Sequence, residues 1–292
     1  MRVDKSLYPF EGKYFARGKN RMHYLDEGQG PTVVMVHGNP SWSFYYRNLV
    51  QGLKASHRCI VPDHIGCGLS DKPDDADYTY TLGNRIDDLE ALLEEVAPTG
   101  PVTLVVHDWG GAIGMGWAGR HPDRVERIVL LNTGAFSNPK DQKIPFTLWL
   151  ARNTFVGTLL VRGFNAFSVG ATHMAVGKRM GRAVRAGYRA PYDSWANRIA
   201  TLRFVQDIPL NPGDPAYNAI IEVGEGLDRL QDKPILICWG EKDFVFDLTF
   251  LAEWQQRFPG AEVVRYPSGG HYVLEDEGAD IIPRIQRFLG AA

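Results

Sequence analysis

Short apolar runs alternate with amphipathic stretches along most of this chain. Six runs are rich in Val and Ile and bounded by Gly, Pro or Asp: Thr32–Val36, Cys59–Val61, Val102–Val106, Arg127–Leu131, Ile235–Trp239 and Glu262–Tyr266. Runs of this kind predict strands covered on both faces. Between them, Ser43–Leu53, Leu82–Val96, Ala112–Arg120 and Leu248–Phe258 have the pattern of helices. Strand alternating with helix predicts an α/β fold, a mostly parallel central sheet flanked by helices. Ahead of Thr32, Arg21–Asp26 is expected to form an antiparallel edge strand.

The rhythm breaks between about Phe136 and Leu230, where aromatics and arginines are frequent and no buried strand is apparent, and it resumes at Pro234. This predicts core residues 1–135, an inserted helical cap at 136–230, and the rest of the core at 231–292. An insertion there would lie over the carboxyl ends of the strands, where open α/β sheets bind ligands.

Composition narrows the picture. The chain has 292 residues, 44% hydrophobic, enough for a large core. A net charge of −2 gives no sign of general affinity for nucleic acid or anionic membranes. Cys59, Cys67 and Cys238 show neither zinc nor redox spacing, so a reducing, cytoplasmic setting is expected. The first residues do not read as a secretory signal, and no run is long and apolar enough to predict a transmembrane segment.

The chemistry is concentrated after the strands. In V-T-L-V-V-H-D-W-G-G-A-I-G the strand Val102–Val106 meets a helix beginning near Gly110 through a very short turn, with Asp108 at its tip. That is the context of a nucleophile elbow, usually occupied by Ser. An Asp there could equally be a helix N-cap. Three further features favour the catalytic reading. H-G-N-P at His37–Pro40 stands where an α/β-hydrolase supplies an oxyanion N–H, W-G-E-K-D carries Asp243, and P-S-G-G-H-Y carries His271. The order nucleophile, acid, histidine is that of the α/β-hydrolase fold.

Together with H-G-N-P-S-W-S-F-Y-Y-R at His37–Arg47, D-H-I-G-C-G-L-S-D-K-P at Asp63–Pro73 and V-V-H-D-W-G-G at Val105–Gly111, these residues resemble the haloalkane dehalogenase family over nearly the whole chain. The resemblance implies Asp108 as nucleophile, His271 as base, Asp243 as the acid that orients it, and Asn39 with Trp109 as the halide-holding pair. It implies an alkyl-enzyme ester, hydrolysed by water that His271 activates, with backbone N–H groups of Asn39 and Trp109 at the oxyanion. No metal or organic cofactor is implied. Some members carry the acid as Glu near Leu130–Thr133, where this chain has Asn132. Asp243 is therefore expected as the acid, with Glu241 a weaker candidate.

The same residues also resemble the β-lactone decarboxylases of bacterial olefin synthesis, as do S-D-K-P-D-D-A-D-Y-T-Y-T-L at Ser70–Leu82 and Y-D-S-W-A-N-R at Tyr192–Arg198. Dehalogenase chemistry is the leading expectation and cis-β-lactone decarboxylation the alternative, so the partner is a small apolar molecule, a haloalkane or an alkyl β-lactone. Epoxide hydrolysis, with Tyr188 and Tyr192 as activators, ranks below both. A non-catalytic binding protein is set against by the complete triad, and a serine esterase by the absent Ser. The apolar stretch Ile144–Phe167 is open to three readings: packing on the core, lining a tunnel for a long chain, or contact with a homo-oligomer, biosynthetic-complex or membrane partner. Trp149, Phe164, Phe167 and Trp195 are expected mainly to pack, and Arg179, Arg182, Arg185 and Arg189 to form a solvated helix face.

Overall fold

The computed structural model describes residues 3–139 and 144–290. Eight strands form one sheet: β1 Lys13–Arg17, β2 Asn20–Glu27, β3 Thr32–Val36, β4 Arg58–Pro62, β5 Val102–Asp108, β6 Val125–Thr133, β7 Ile235–Gly240 and β8 Glu262–Tyr266. Their spatial order is β1-β2-β4-β3-β5-β6-β7-β8. The pairs β1/β2 and β2/β4 are antiparallel, and all others are parallel. β5 and β7 are buried along their whole length, which is why they read as unbroken apolar runs.

The expected edge strand, Arg21–Asp26, lies inside β2, which is not at the edge. That place belongs to β1, whose K-Y-F-A-R sequence buries only Phe15. A strand with one buried side chain and a charge at each end has no apolar signature, and those charges blunt an exposed sheet edge.

Helices cover both faces: α1 Arg47–Leu53, α2 Leu82–Val96, α3 Trp109–Arg120, α4 Phe146–Asn153, α5 Phe155–Thr158, α6 Ala166–Met174, α7 Arg182–Arg189, α8 Ile199–Gln206, α9 Tyr217–Gly226, α10 Leu248–Arg257 and α11 Val273–Phe288. The stretch Ser43–Leu53 divides into a 3-10 turn, Ser43–Tyr46, and α1. α11 went unpredicted: Pro283 and a non-helical Glu277 interrupt its pattern. Two large apolar clusters fill the space between sheet and helices.

Among the described residues the chain between β6 and β7 contains helices and turns but no strand. A π-helical turn, Leu159–Gly163, continues α5. α9 packs on α3 and contributes Ile220 and Val223 to the core, whereas Ala151, Val161, Leu202 and Val205 form a separate small cluster.

Candidate active site

β5 ends on Asp108 and α3 starts on the next residue, so the turn has no spare length. Asp108 holds φ 53°, a conformation that non-glycine residues rarely adopt and that marks strained functional turns. The turn closes because Gly110 lies against the carbonyl of Val36, where a Cβ would collide with backbone. Gly38 likewise leaves room for the Asp108 carboxylate. The elbow therefore needs both glycine-bearing segments, one from each of two neighbouring parallel strands.

The three expected catalytic residues meet. His271 Nδ1 lies 2.8 Å from Asp243 Oδ2, and its Nε2 lies 3.3 Å from Asp108 Oδ2. All three are buried. The backbone N–H of Asn39 donates to Asp108 Oδ1 at 2.6 Å, and that of Trp109 also stabilises the carboxylate. Thr133 donates its hydroxyl to the Asp108 carbonyl at 2.5 Å.

The charges support each other. Burial alone pushes Asp108 up, but the hydrogen bond and charge of His271 and the backbone N–H outweigh it and hold the carboxyl below its usual range. For His271, burial disfavours the cation, yet the charge of Asp243 and the hydrogen bond to Asp108 raise it to about 10. These neighbours favour the imidazolium form of His271 in the resting site. His107, whose Nε2 lies 2.8 Å from the His271 carbonyl, is pushed down to about 3 by burial and by the charge of His271, and stays neutral.

Asn132 was expected only to mark an absent acid, but it has a positive part. Its amide accepts from the Gly240 N–H at 2.7 Å, donates to the Gly240 carbonyl at 2.9 Å and donates to Asp243 Oδ2 at 3.1 Å. It ties the end of β6 to the β7 loop and fixes the carboxylate that holds His271. The Val245 N–H donates to the other Asp243 oxygen at 2.8 Å. Glu241 instead pairs with Arg265 at 2.7 Å, away from the histidine. Phe246, unmarked by any motif, stacks on the His271 ring at a centroid distance of 5.9 Å.

Asp108, His271, Asn39 and Trp109 line one cavity of about 340 Å³. Almost everything else around it is apolar, including Phe136, Leu148, Phe167, Val205, Ile208 and Phe246. The Asn39 amide donates to the Thr201 carbonyl at 3.1 Å, which aims its second N–H elsewhere. The Trp109 ring packs on Phe204 at 5.5 Å. Tyr188 and Tyr192 do not reach the cavity: their hydroxyls donate to Glu275 and to the Ser41 carbonyl. Neither hydroxyl is therefore placed to activate an epoxide in this cavity.

Trp149, Phe164 and Trp195 lie outside the cavity lining and are exposed rather than buried, while Phe167, expected mainly to pack, lines the cavity. Of the four arginines, Arg179 and Arg182 are exposed, but Arg185 and Arg189 are half-buried and donate to backbone carbonyls. Cys59, Cys67 and Cys238 are buried free thiols.

Comparison with known proteins agrees with this geometry. Residues 31–278 match the family described as alpha/beta hydrolase fold. The chain is 56% identical to a cis-3-alkyl-4-alkyloxetan-2-one decarboxylase of Shewanella oneidensis over 97% of its length and 90% of that protein's. It is 50% identical to one of Xanthomonas campestris, over 92% of each chain. Identity to haloalkane dehalogenase 2 of Mycobacterium tuberculosis is 33%, over 94% of this chain and 93% of that one. Haloalkane dehalogenase DbeA of Bradyrhizobium elkani superposes with a TM-score of 0.84 at 26% identity, over 97% of this chain and 100% of that chain. The decarboxylase alternative is thus better supported than the dehalogenase reading that led from sequence. The chain belongs to the α/β-hydrolase fold family, within the group that joins haloalkane dehalogenases to these decarboxylases.

Proposed function

We propose that the protein is a β-lactone decarboxylase that converts a cis-3,4-dialkyl oxetan-2-one into an olefin and carbon dioxide. The observation that carries this reading is the Asp108 carboxyl, 3.3 Å from His271 Nε2, facing a mainly apolar cavity. The 56% identity to a decarboxylase of such lactones supports the substrate class.

The steps follow from the residues. Asp108 Oδ2 attacks the ring carbon bearing the ring oxygen, from the side opposite that oxygen. The carbon–oxygen bond breaks, and its electron pair leaves on the ring oxygen, producing a carboxylate on the adjacent carbon. Strain in the four-membered ring drives this step. The carboxylate and the new ester oxygen are then antiperiplanar. The carbon–carbon bond to the carboxylate breaks, its pair forms the double bond, and the ester pair returns to Asp108. Inversion followed by anti elimination keeps the two alkyl groups cis. Atoms balance without water.

Each neighbour has a part in this sequence. The N–H groups of Trp109, Asn39 and His271 are donors for the departing carboxylate, whose negative charge passes to the regenerated Asp108 carboxylate as neutral carbon dioxide leaves into apolar surroundings. Backbone N–H groups of Asn39 and Trp109 hold Asp108 in line, while Asp243, steadied by Asn132, orients His271. The helices between β6 and β7 serve as the cap over the cavity and line much of it with apolar side chains.

A second reading has its own support. The Asn39–Trp109 donor pair suits a halide, and the chain is 33% identical to a haloalkane dehalogenase. In that reading Asp108 displaces halide, and water attacks its ester carbonyl. One experiment separates them. A long-chain cis-β-lactone and a bromoalkane are each turned over in ¹⁸O-enriched water, following olefin, bromide and the mass of the Asp108 peptide. Olefin without label on Asp108 is expected. Fast bromide release, label in the carboxylate and no olefin would instead make the protein a dehalogenase.

A further inference from the structure

α5 and the turn that continues it are apolar on two opposite sides. Gly157 and Val161 face inward and are buried. Phe155, Val156, Leu159, Leu160 and Phe164 face outward at steps of four residues, one stripe along the helix. Phe155 is 79% and Phe164 70% exposed. Gly157 seats α5 on the backbone of Leu150 and Ala151, so the outer face continues onto α4. There Phe146, 71% exposed, stacks on Trp149. Trp195 adjoins the other end, beside Leu159 and Gly163. A helix apolar on both sides is normally covered on both.

The cavity opens in this face. Leu160, Met174 and Phe244 line the cavity and are also exposed, so they form its rim. The same region is basic, which the net charge of −2 conceals. Residues 144–200 hold seven arginines and one lysine against a single acid, Asp193. Among the described residues only Arg152 and Lys178 of these cations form ion pairs. Arg162 lies over the Trp195 ring at 4.7 Å, and Arg198 donates to the carbonyls of Arg162 and Gly163. Both stand at the edge of the patch without a carboxylate partner.

We propose that this face docks on an anionic bilayer surface, with the cavity mouth opening on the acyl layer. Aromatic and aliphatic side chains beside unpaired arginines suit the boundary between acyl chains and anionic headgroups. A second copy of the chain suits it less. A two-fold contact would set like-charged arginines near each other and seal the mouth through which an apolar molecule must pass. No described helix is long and apolar enough to cross a membrane, so the contact lies on the surface. The bilayer would then supply apolar substrate directly and receive apolar product. This rests on the ligand class proposed above but not on the reaction.

The test reads lipid binding rather than turnover. The full chain is floated with phosphatidylglycerol–phosphatidylethanolamine vesicles and, separately, with phosphatidylcholine vesicles. Flotation is expected with the anionic vesicles and should weaken several-fold as salt rises to about 0.5 M. The double substitution Phe155→Asp and Phe164→Asp should lower the floated fraction about tenfold while leaving the thermal midpoint unchanged, because both positions are exposed and outside the cavity. No flotation with either vesicle, or flotation that the double substitution leaves intact, would overturn the proposal. So would a protein that never floats and elutes as an oligomer which the double substitution dissociates, since the face would then be a contact between copies.

Discussion

Replacing Asp108 by Asn should convert His271 from a group that keeps its proton up to about pH 10 into one that titrates near neutrality. The substitution keeps the shape of the elbow, because Asn is among the residues that tolerate positive φ. It also keeps an oxygen to accept from the Asn39 N–H, and it removes one negative charge 3.3 Å from His271 Nε2. At an effective dielectric of about 20, a unit charge at that distance contributes about 5 kcal/mol, or roughly 3 to 4 pKa units. A His271 raised to about 10 should therefore fall by roughly 3 to 4 units, to about 6 to 7, with Asp243 alone. The assay is an NMR titration of ¹⁵N-histidine protein, with His271 assigned by the signal missing in His271→Gln. A His271 that titrates within about one unit of the unaltered protein would refute the argument, since the Asp108 charge would then not hold the proton. The consequence reaches the chemistry. Esterification of Asp108 removes the same charge, so a covalent intermediate would free His271 to act as a base, which the resting site does not allow.

Other outcomes follow from the same geometry. Asp108→Ala should abolish both olefin formation and any bromide release, checked by gas chromatography and halide assay with circular dichroism to show the fold intact. The pH profile of kcat/KM for a lactone should be flat near neutrality. Its acid limb should lie below the usual carboxylate range, where the depressed Asp108 protonates, and its alkaline limb near 10, where His271 loses its proton. Asn132→Ala should reduce kcat about 10- to 100-fold with little change in KM, because Asp243 loses its clamp; a change confined to KM would contradict a positioning role. Trp109→Phe keeps a ring against Phe204 and removes the donor, so binding of carboxylate or halide inhibitors should weaken about tenfold or more by calorimetry.

The sequence by itself determined the sheet's buried strands and the site's chemical groups, for local reasons. A parallel strand covered on both faces must be continuously apolar, so β3, β5 and β7 announced themselves. Asp108 closes β5 and Asp243 follows β7, both buried throughout, whereas His271 follows β8, which was expected to be covered on both faces but lies at the sheet edge with only Tyr266 buried; the order of the three in the chain is that of the fold. The edge strand β1 left no pattern, because an exposed strand buries only Phe15. Tertiary structure alone decided the rest. It made Asn132 the clamp on Asp243, a bond between residues 111 apart in the chain. It stacked Phe246 on the catalytic ring and turned Tyr188 and Tyr192 away from the cavity. It also set which side of α5 faces water. Periodicity can reveal that a helix has an apolar side, but when both sides are apolar only packing decides which one is left exposed.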